Sequence, residues 1–192
     1  MEIIKGDIEG LLIFKPKVFF DERGSFFESY SNKVFNNNLL TYEIDSINFV
    51  QDNQAYSKPG VIRGLHFQNP PYGQGKLVRV VKGKVLDIAV DIRKNSPTYG
   101  KHQIVELSEE NGLQFWIPEG FAHGYVSLEE SLFLYKCTDF YAPGYDGTIQ
   151  WNDPNLGVYN DLKSMVNFNI DDAIVSDKDK VGQSFVEFET KF

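Results

Sequence analysis

The chain has 192 residues and a formal net charge of −8, with 42% hydrophobic and 15% aromatic residues. That acidic balance leaves no basic face for nucleic acid and argues against docking on anionic membranes. The single cysteine, Cys137, excludes an intrachain disulfide and any cysteine-based zinc site.

The run Met1-Glu2-Ile3-Ile4-Lys5-Gly6-Asp7 is too charged for a signal peptide, and no apolar run approaches membrane-spanning length. A cytoplasmic protein is the expectation. The first strand-like run covers residues 11–15, and a second covers 26–30. Ser31 is placed to cap a short helix over residues 33–40. Strand patterns return at residues 47–56, 61–68 and 76–81. Lys82-Gly83-Lys84 reads as a tight hairpin leading into residues 84–92. There Leu86, Ile88, Val90 and Ile92 alternate with Val85, Asp87, Ala89 and Asp91, a clean period of two. Further strands are expected at 103–107, 113–117, 125–128 and 132–141, and a last helix near Asp171 or Ser176. Nothing alternates as βαβ, and no glycine-rich dinucleotide loop follows a strand. Many short strands between Gly, Pro, Asn and Asp turns predict an all-β jelly roll. One domain over residues 1–192 is expected, with a barrel core at about 11–157 and a less regular tail at 158–192.

The chemistry-bearing residues are few. Three histidines, His66, His102 and His123, lie far apart, and Gln68 stands where a His-x-His metal pair needs its second ring. No metal site is expected. Cys137 lies mid-strand, and no nucleophile elbow exists. Proton transfer remains, with histidine as its natural base near neutrality. His66 has two readings: a hydrogen-bonded core histidine, which composition favours, or a reacting base. Under strict alternation Gly64, His66 and Gln68 share one strand face while Arg63, Leu65 and Phe67 share the other. Arg63 then points away from His66 unless Gly64 marks a bulge. Likewise Phe133, Tyr135, Cys137, Asp139 and Tyr141 share a face, either as an aromatic core stripe or with two phenols in a cavity.

The combined motifs are specific. Arg63-Gly64-Leu65-His66-Phe67-Gln68, Gln74-Gly75-Lys76-Leu77-Val78-Arg79 and Trp116-Ile117-Pro118-Glu119-Gly120-Phe121-Ala122-His123-Gly124 closely resemble the dTDP-4-dehydrorhamnose 3,5-epimerase family. Asp21-Glu22-Arg23-Gly24, Phe27-Glu28-Ser29-Tyr30, Phe49-Val50-Gln51-Asp52-Asn53, Leu134-Tyr135-Lys136 and Trp151-Asn152-Asp153 extend the resemblance from about residue 12 to about 157. A short match follows near Ser176–Lys180. The resemblance implies a cupin-type jelly-roll barrel, a homodimer, and no metal or other cofactor. It implies a dTDP-linked 4-keto-6-deoxyglucose as substrate and inversion of C3 and C5.

By the same resemblance His66 is the base, Asp179 the carboxylate that orients it, Lys76 the cation near the ketone oxygen and Tyr135 the acid. Arg63 matches a diphosphate-binding arginine and Arg23 another basic group of the substrate site. Glu28, Gln51, Asp52, Asn53, His123 and Lys178 match further substrate contacts. Gln51 and Asn53 share a strand face that Asp52 does not. Asp146 stands where relatives often have glutamate. After Leu156-Gly157 the family's usual Trp-Pro pair is replaced by Val158-Tyr159. Asp177 and Asp179 compete for the place beside His66, and Asp179 is chosen because it follows Lys178 as in the family. Two alternatives stand beside the double epimerase. One is a single-centre 3- or 5-epimerase on a related nucleotide sugar. The other, a non-catalytic sugar-binding jelly roll, predicts loss of the base, the lysine or the acid, and all three residue types are present.

Overall fold

The computed structural model describes all 192 residues. In chain order the elements are β1 (Glu2–Lys5), β2 (Leu12–Lys15), β3 (Phe19–Asp21), β4 (Gly24–Phe26), α1 (Asn32–Leu40), β5 (Gln51–Ser57), β6 (Val61–Gln68) and β7 (Lys76–Lys82). Then follow β8 (Lys84–Asp91), β9 (His102–Ser108), β10 (Gln114–Ile117), β11 (Phe121–Ser127), β12 (Ser131–Cys137) and β13 (Asp146–Thr148). The tail holds α2 (Val158–Met165), a 3₁₀ turn at Ile170–Asp172, β14 (Ile174–Val175) and α3 (Asp177–Lys180).

Two sheets face each other as a cupin-like jelly roll. The first runs β1-β2-β10-β7-β12-β5 and the second β13-β6-β11-β8-β9, with β14 added parallel to β6. Val78, Val80, Phe115 and Phe133 of the first sheet meet Val85, Ala89, Phe121 and Tyr125 of the second. The outer faces are covered as well. Phe35 and Leu39, four apart on α1, pack on Phe14, Leu77 and Trp116. On the second sheet, Leu65, Leu86, Ile88 and Val90 are covered by Ile149 and Trp151 and by Val158, Leu162 and Ile170 of the tail. Strand β8 is therefore apolar on both sides because both sides are buried, each such residue contributing roughly 1.5–3 kcal/mol.

Helix α1 forms as expected: Ser31 is extended and its hydroxyl accepts the Val34 N–H at 3.4 Å. Several expectations need correction. Strands β7 and β8 do not form a hairpin, because Gly83 carries the chain from one sheet to the other. Its φ is +75°, and a Cβ there would lie 2.2 Å from the Glu130 carbonyl oxygen. The expected strand at 26–30 ends at Phe26. Beyond it, side chains satisfy the backbone, as where Gln114 Nε2 donates to the Ser29 carbonyl. The run at 47–56 pairs only from Gln51, and that at 132–141 only to Cys137. Helix α2 was missed; Val158 and Leu162, one turn apart, are its buried stripe. No helix is long and apolar enough to cross a membrane.

Candidate active site

The site is built on a defect in β6. Its register against β11 pairs His66 with His123 and Arg63 with Tyr125, so three steps on β6 match two on β11. The extra residue falls at Gly64-Leu65, and Gly64 has φ +122°. A Cβ at Gly64 would sit 2.6 Å from Gly124 Cα and 2.7 Å from the His123 carbonyl oxygen. Only glycine fits this bulge. Because His123 and Tyr125 are two apart, they share a face, and so do their partners His66 and Arg63. Strict alternation would have separated those two. Arg63 Nε donates to Ser57 Oγ at 3.1 Å, on the inward face of β5, and its terminal nitrogen donates to the Tyr56 carbonyl at 3.0 Å.

The bulge also frees a backbone donor. Strand β13 pairs with β6 at residues 66–68 and β14 at 61–62. In the gap between them the Gly64 N–H donates to Asp179 Oδ2 at 3.2 Å. The other Asp179 oxygen lies 2.7 Å from His66 Nε2. Asp179 is held there by α3, whose cap Ser176 accepts the Asp179 N–H. Burial works against the Asp179 charge, but the His66 ring and the Gly64 N–H outweigh it, and the carboxyl lies below its ordinary range. An ionised Asp179 places the ring hydrogen on Nε2 and leaves the Nδ1 lone pair of His66 for other work. Asp177, the rival, is fully exposed and pairs with Lys180.

His66 lines a cavity of about 410 Å³ between the sheets. Gln51 and Asn53 of β5, Gln68 of β6, Lys76 of β7 and Tyr135 of β12 complete its walls. Tyr141, Asp146 and Lys178 line it further, and the last two form an ion pair at 2.5 Å. Tyr135 and Tyr141 thus reach one cavity although the strand ends between them. Lys76 is 8% exposed, and its ammonium makes no hydrogen bond to the protein. Burial pulls its pKa down, opposed by Cys137 and Asp87. Burial, with Cys137 and Tyr125, pushes the Tyr135 phenol up, so it keeps its proton.

Other expected site residues lie elsewhere. Asp52 is on the outer face of β5, paired with Lys136 at 2.9 Å. Arg23 sits on the exposed β3–β4 hairpin against Asp21, and Glu28 is exposed beyond it. His123 is buried behind His66, its Nε2 3.0 Å from both Asp87 oxygens. Sequence reasoning missed Asp87; an acid inside the apolar run Leu86-Asp87-Ile88 was the signal available. A second cavity of about 240 Å³, on the outer face of the first sheet beside Arg79 and Lys136, holds no base–orienter pair.

The family model described as dTDP-4-dehydrorhamnose 3,5-epimerase matches residues 5–187. A curated dTDP-4-dehydrorhamnose 3,5-epimerase from Shigella flexneri is 48% identical over 188 residues, 97% of each chain. The crystal structure of such an enzyme from Elizabethkingia anophelis NUHP1 superposes with a TM-score of 0.86 at 41% identity, covering 97% of both chains. A Legionella pneumophila Philadelphia 1 dTDP-6-deoxy-D-glucose-3,5-epimerase, solved in complex with dTDP-4-keto-L-rhamnose, also gives 0.86 at 41%, over 98% of this chain and 94% of that one.

Proposed function

The chain belongs to the dTDP-4-dehydrorhamnose 3,5-epimerase family, and from that premise we propose how its cavity carries out the reaction. The activity is that of an isomerase in dTDP-L-rhamnose biosynthesis. It converts dTDP-4-dehydro-6-deoxy-D-glucose into dTDP-4-dehydro-L-rhamnose by inverting C3 and C5, the carbons flanking the C4 ketone. A proton beside a ketone can be removed when the enolate oxygen is stabilised. In this reading His66 Nδ1 takes the proton, and Asp179 holds Nε2–H and steadies the imidazolium. The free Lys76 ammonium meets the enolate oxygen. Tyr135 returns a proton to the other ring face.

One observation carries the reading. His66 stands on the second sheet and Tyr135 on the first, across a single cavity. Inversion needs removal on one face and delivery on the opposite one, and opposed sheets supply both. Around the ring, Gln51, Asn53, Asp146 and Lys178 contact the sugar nucleotide, and Arg63 the diphosphate. Residues 1–192 act as one domain in this reading, since the tail brings Asp179 to a site built by residues 51–147. The working unit is a cytoplasmic homodimer in which the hairpin delivers Arg23, with Glu28, to the partner's cavity. Phe19, Phe20 and Phe26 on that hairpin are 54%, 79% and 71% exposed, which supports a protein surface as their destination.

The test is incubation with dTDP-4-keto-6-deoxyglucose in heavy water, following deuterium at each carbon. Exchange at both C3 and C5 is expected. Exchange at one alone would make this a single-centre epimerase, and none would rule out catalysis on this substrate.

A further inference from the structure

One buried acid has no part in the steps above. Asp87 sits in the middle of β8 and is fully buried. Alternation turns it inward with Val85 and Ala89, and the register sets it beside Tyr125. An ionisable group among such neighbours persists when partners compensate its charge. Asp87 has two partners. The Nε2–H of His123 reaches both carboxylate oxygens at 3.0 Å. Burial pushes the Asp87 carboxyl up, and His123 and then the Lys76 charge, from the facing sheet, oppose that rise.

The remaining titratable groups that act on this set are Tyr125, Cys137 and His66. Of these, Cys137 opposes the fall of the Lys76 pKa only as a thiolate. Burial pushes the Tyr125 phenol and the Cys137 thiol up, so both stay protonated, and His66 is paired with Asp179. A lysine taken out of water loses its proton towards neutral pH unless an anion opposes the loss. Without its proton it carries no charge to stabilise an enolate. Burial favours the neutral form of His123. With Asp87 ionised and Lys76 charged, the trio then sums to zero, the least costly way to bury it.

We infer that Asp87 is a positioning residue of the epimerisation: its carboxylate fixes the His123 tautomer and serves as the counter-charge that keeps Lys76 protonated. The inference rests on the role proposed for Lys76 at the ketone oxygen. It is tested on the ligand-free full chain by following the Asp87 carboxyl and Lys76 Cε carbons by NMR through a pH titration. Asp87 is expected to be ionised at neutral pH. Asp87→Asn is expected to lower the Lys76 titration by about one pH unit or more and to move the alkaline limb of kcat/KM down equally. A protonated Asp87 at neutral pH in the unmodified protein overturns the inference, and that measurement stands even if the variant does not fold. So does an unchanged Lys76 titration in folded Asp87→Asn. A shifted titration with an unmoved kcat/KM profile would instead overturn the role of Lys76 in the reaction, so the two failures are distinguishable.

Discussion

His66 and His123 are neighbours across the β6–β11 register, each against an aspartate, and burial separates them. The His66 side chain is 40% exposed, and its Asp179 arrives from the tail through one oxygen. The His123 side chain is 9% exposed, with both oxygens of a fully buried Asp87 on it. Taking a proton turns an imidazole into a cation. At His66 that charge is shared with cavity, solvent and an ionised carboxylate. At His123 burial pushes the ring's pKa down, so charging it is harder. The same two residue types thus suit proton transfer in one place and fixed geometry in the other. The third histidine, His102, forms a tail clasp: its nitrogens face the Leu156 carbonyl and Asp161, at 3.0 and 2.9 Å.

The contrast breaks most directly at His66. His66→Ala is expected to reduce deuterium exchange at both carbons by about 10³-fold or more, read by NMR of the recovered sugar nucleotide. Full exchange in that variant would move the base elsewhere, with His123 the first candidate. Tyr135→Phe comes next: exchange should persist while inversion falls about 10²-fold. Unchanged inversion would remove the phenol as the acid.

Asp91 sharpens the contrast by showing a buried carboxylate with no histidine. Burial raises its pKa, but bonds from Arg93, Ser96 and Thr98 outweigh that and hold it at about 2 against an ordinary 3.8. A folded value below the unfolded one means its stabilisation is complete above about pH 4 and fades as pH falls towards 2. Asp91→Asn should therefore cost about 2 kcal/mol at neutral pH and flatten the acid loss of stability, measured by urea unfolding at each pH. The smallest effect is expected at the clasp, where Asp161 is 62% exposed. Asp161→Asn should change stability by less than about 1 kcal/mol and leave exchange within about twofold. A large loss of exchange there would mean that the clasp holds Asp179 in register.

Legibility followed distance along the chain. Strand β6 falls on the predicted bounds, and the helix capped by Ser31 forms within a residue of its expected start. Gly64 could be singled out as the place for a bulge because a lone glycine in a strand suggests one, although alternation alone pointed Arg63 the wrong way. Motif resemblance picked His66, Lys76 and Tyr135, which share a cavity, and preferred Asp179 to Asp177; Asp179 is the one that lies within hydrogen-bond distance of His66. It also picked Asp52, which faces outward, and it passed over Asp87. The hairpin expected at Gly83 shows the limit most plainly: two adjacent strands with a glycine turn can pair or part, and the local residues look the same in both cases.

Residue order by itself determined which segments extend, which faces are apolar and which side chains can move a proton, because these depend on neighbours one to four positions away. Only the tertiary structure decided which sheet each strand joins, that the tail covers the second sheet and delivers Asp179, and which histidine stays open while the other is sealed. Those outcomes rest on contacts between residues as far apart as Gly64 and Asp179. Burial, which sets the charge each pair can carry, exists only once such contacts have formed.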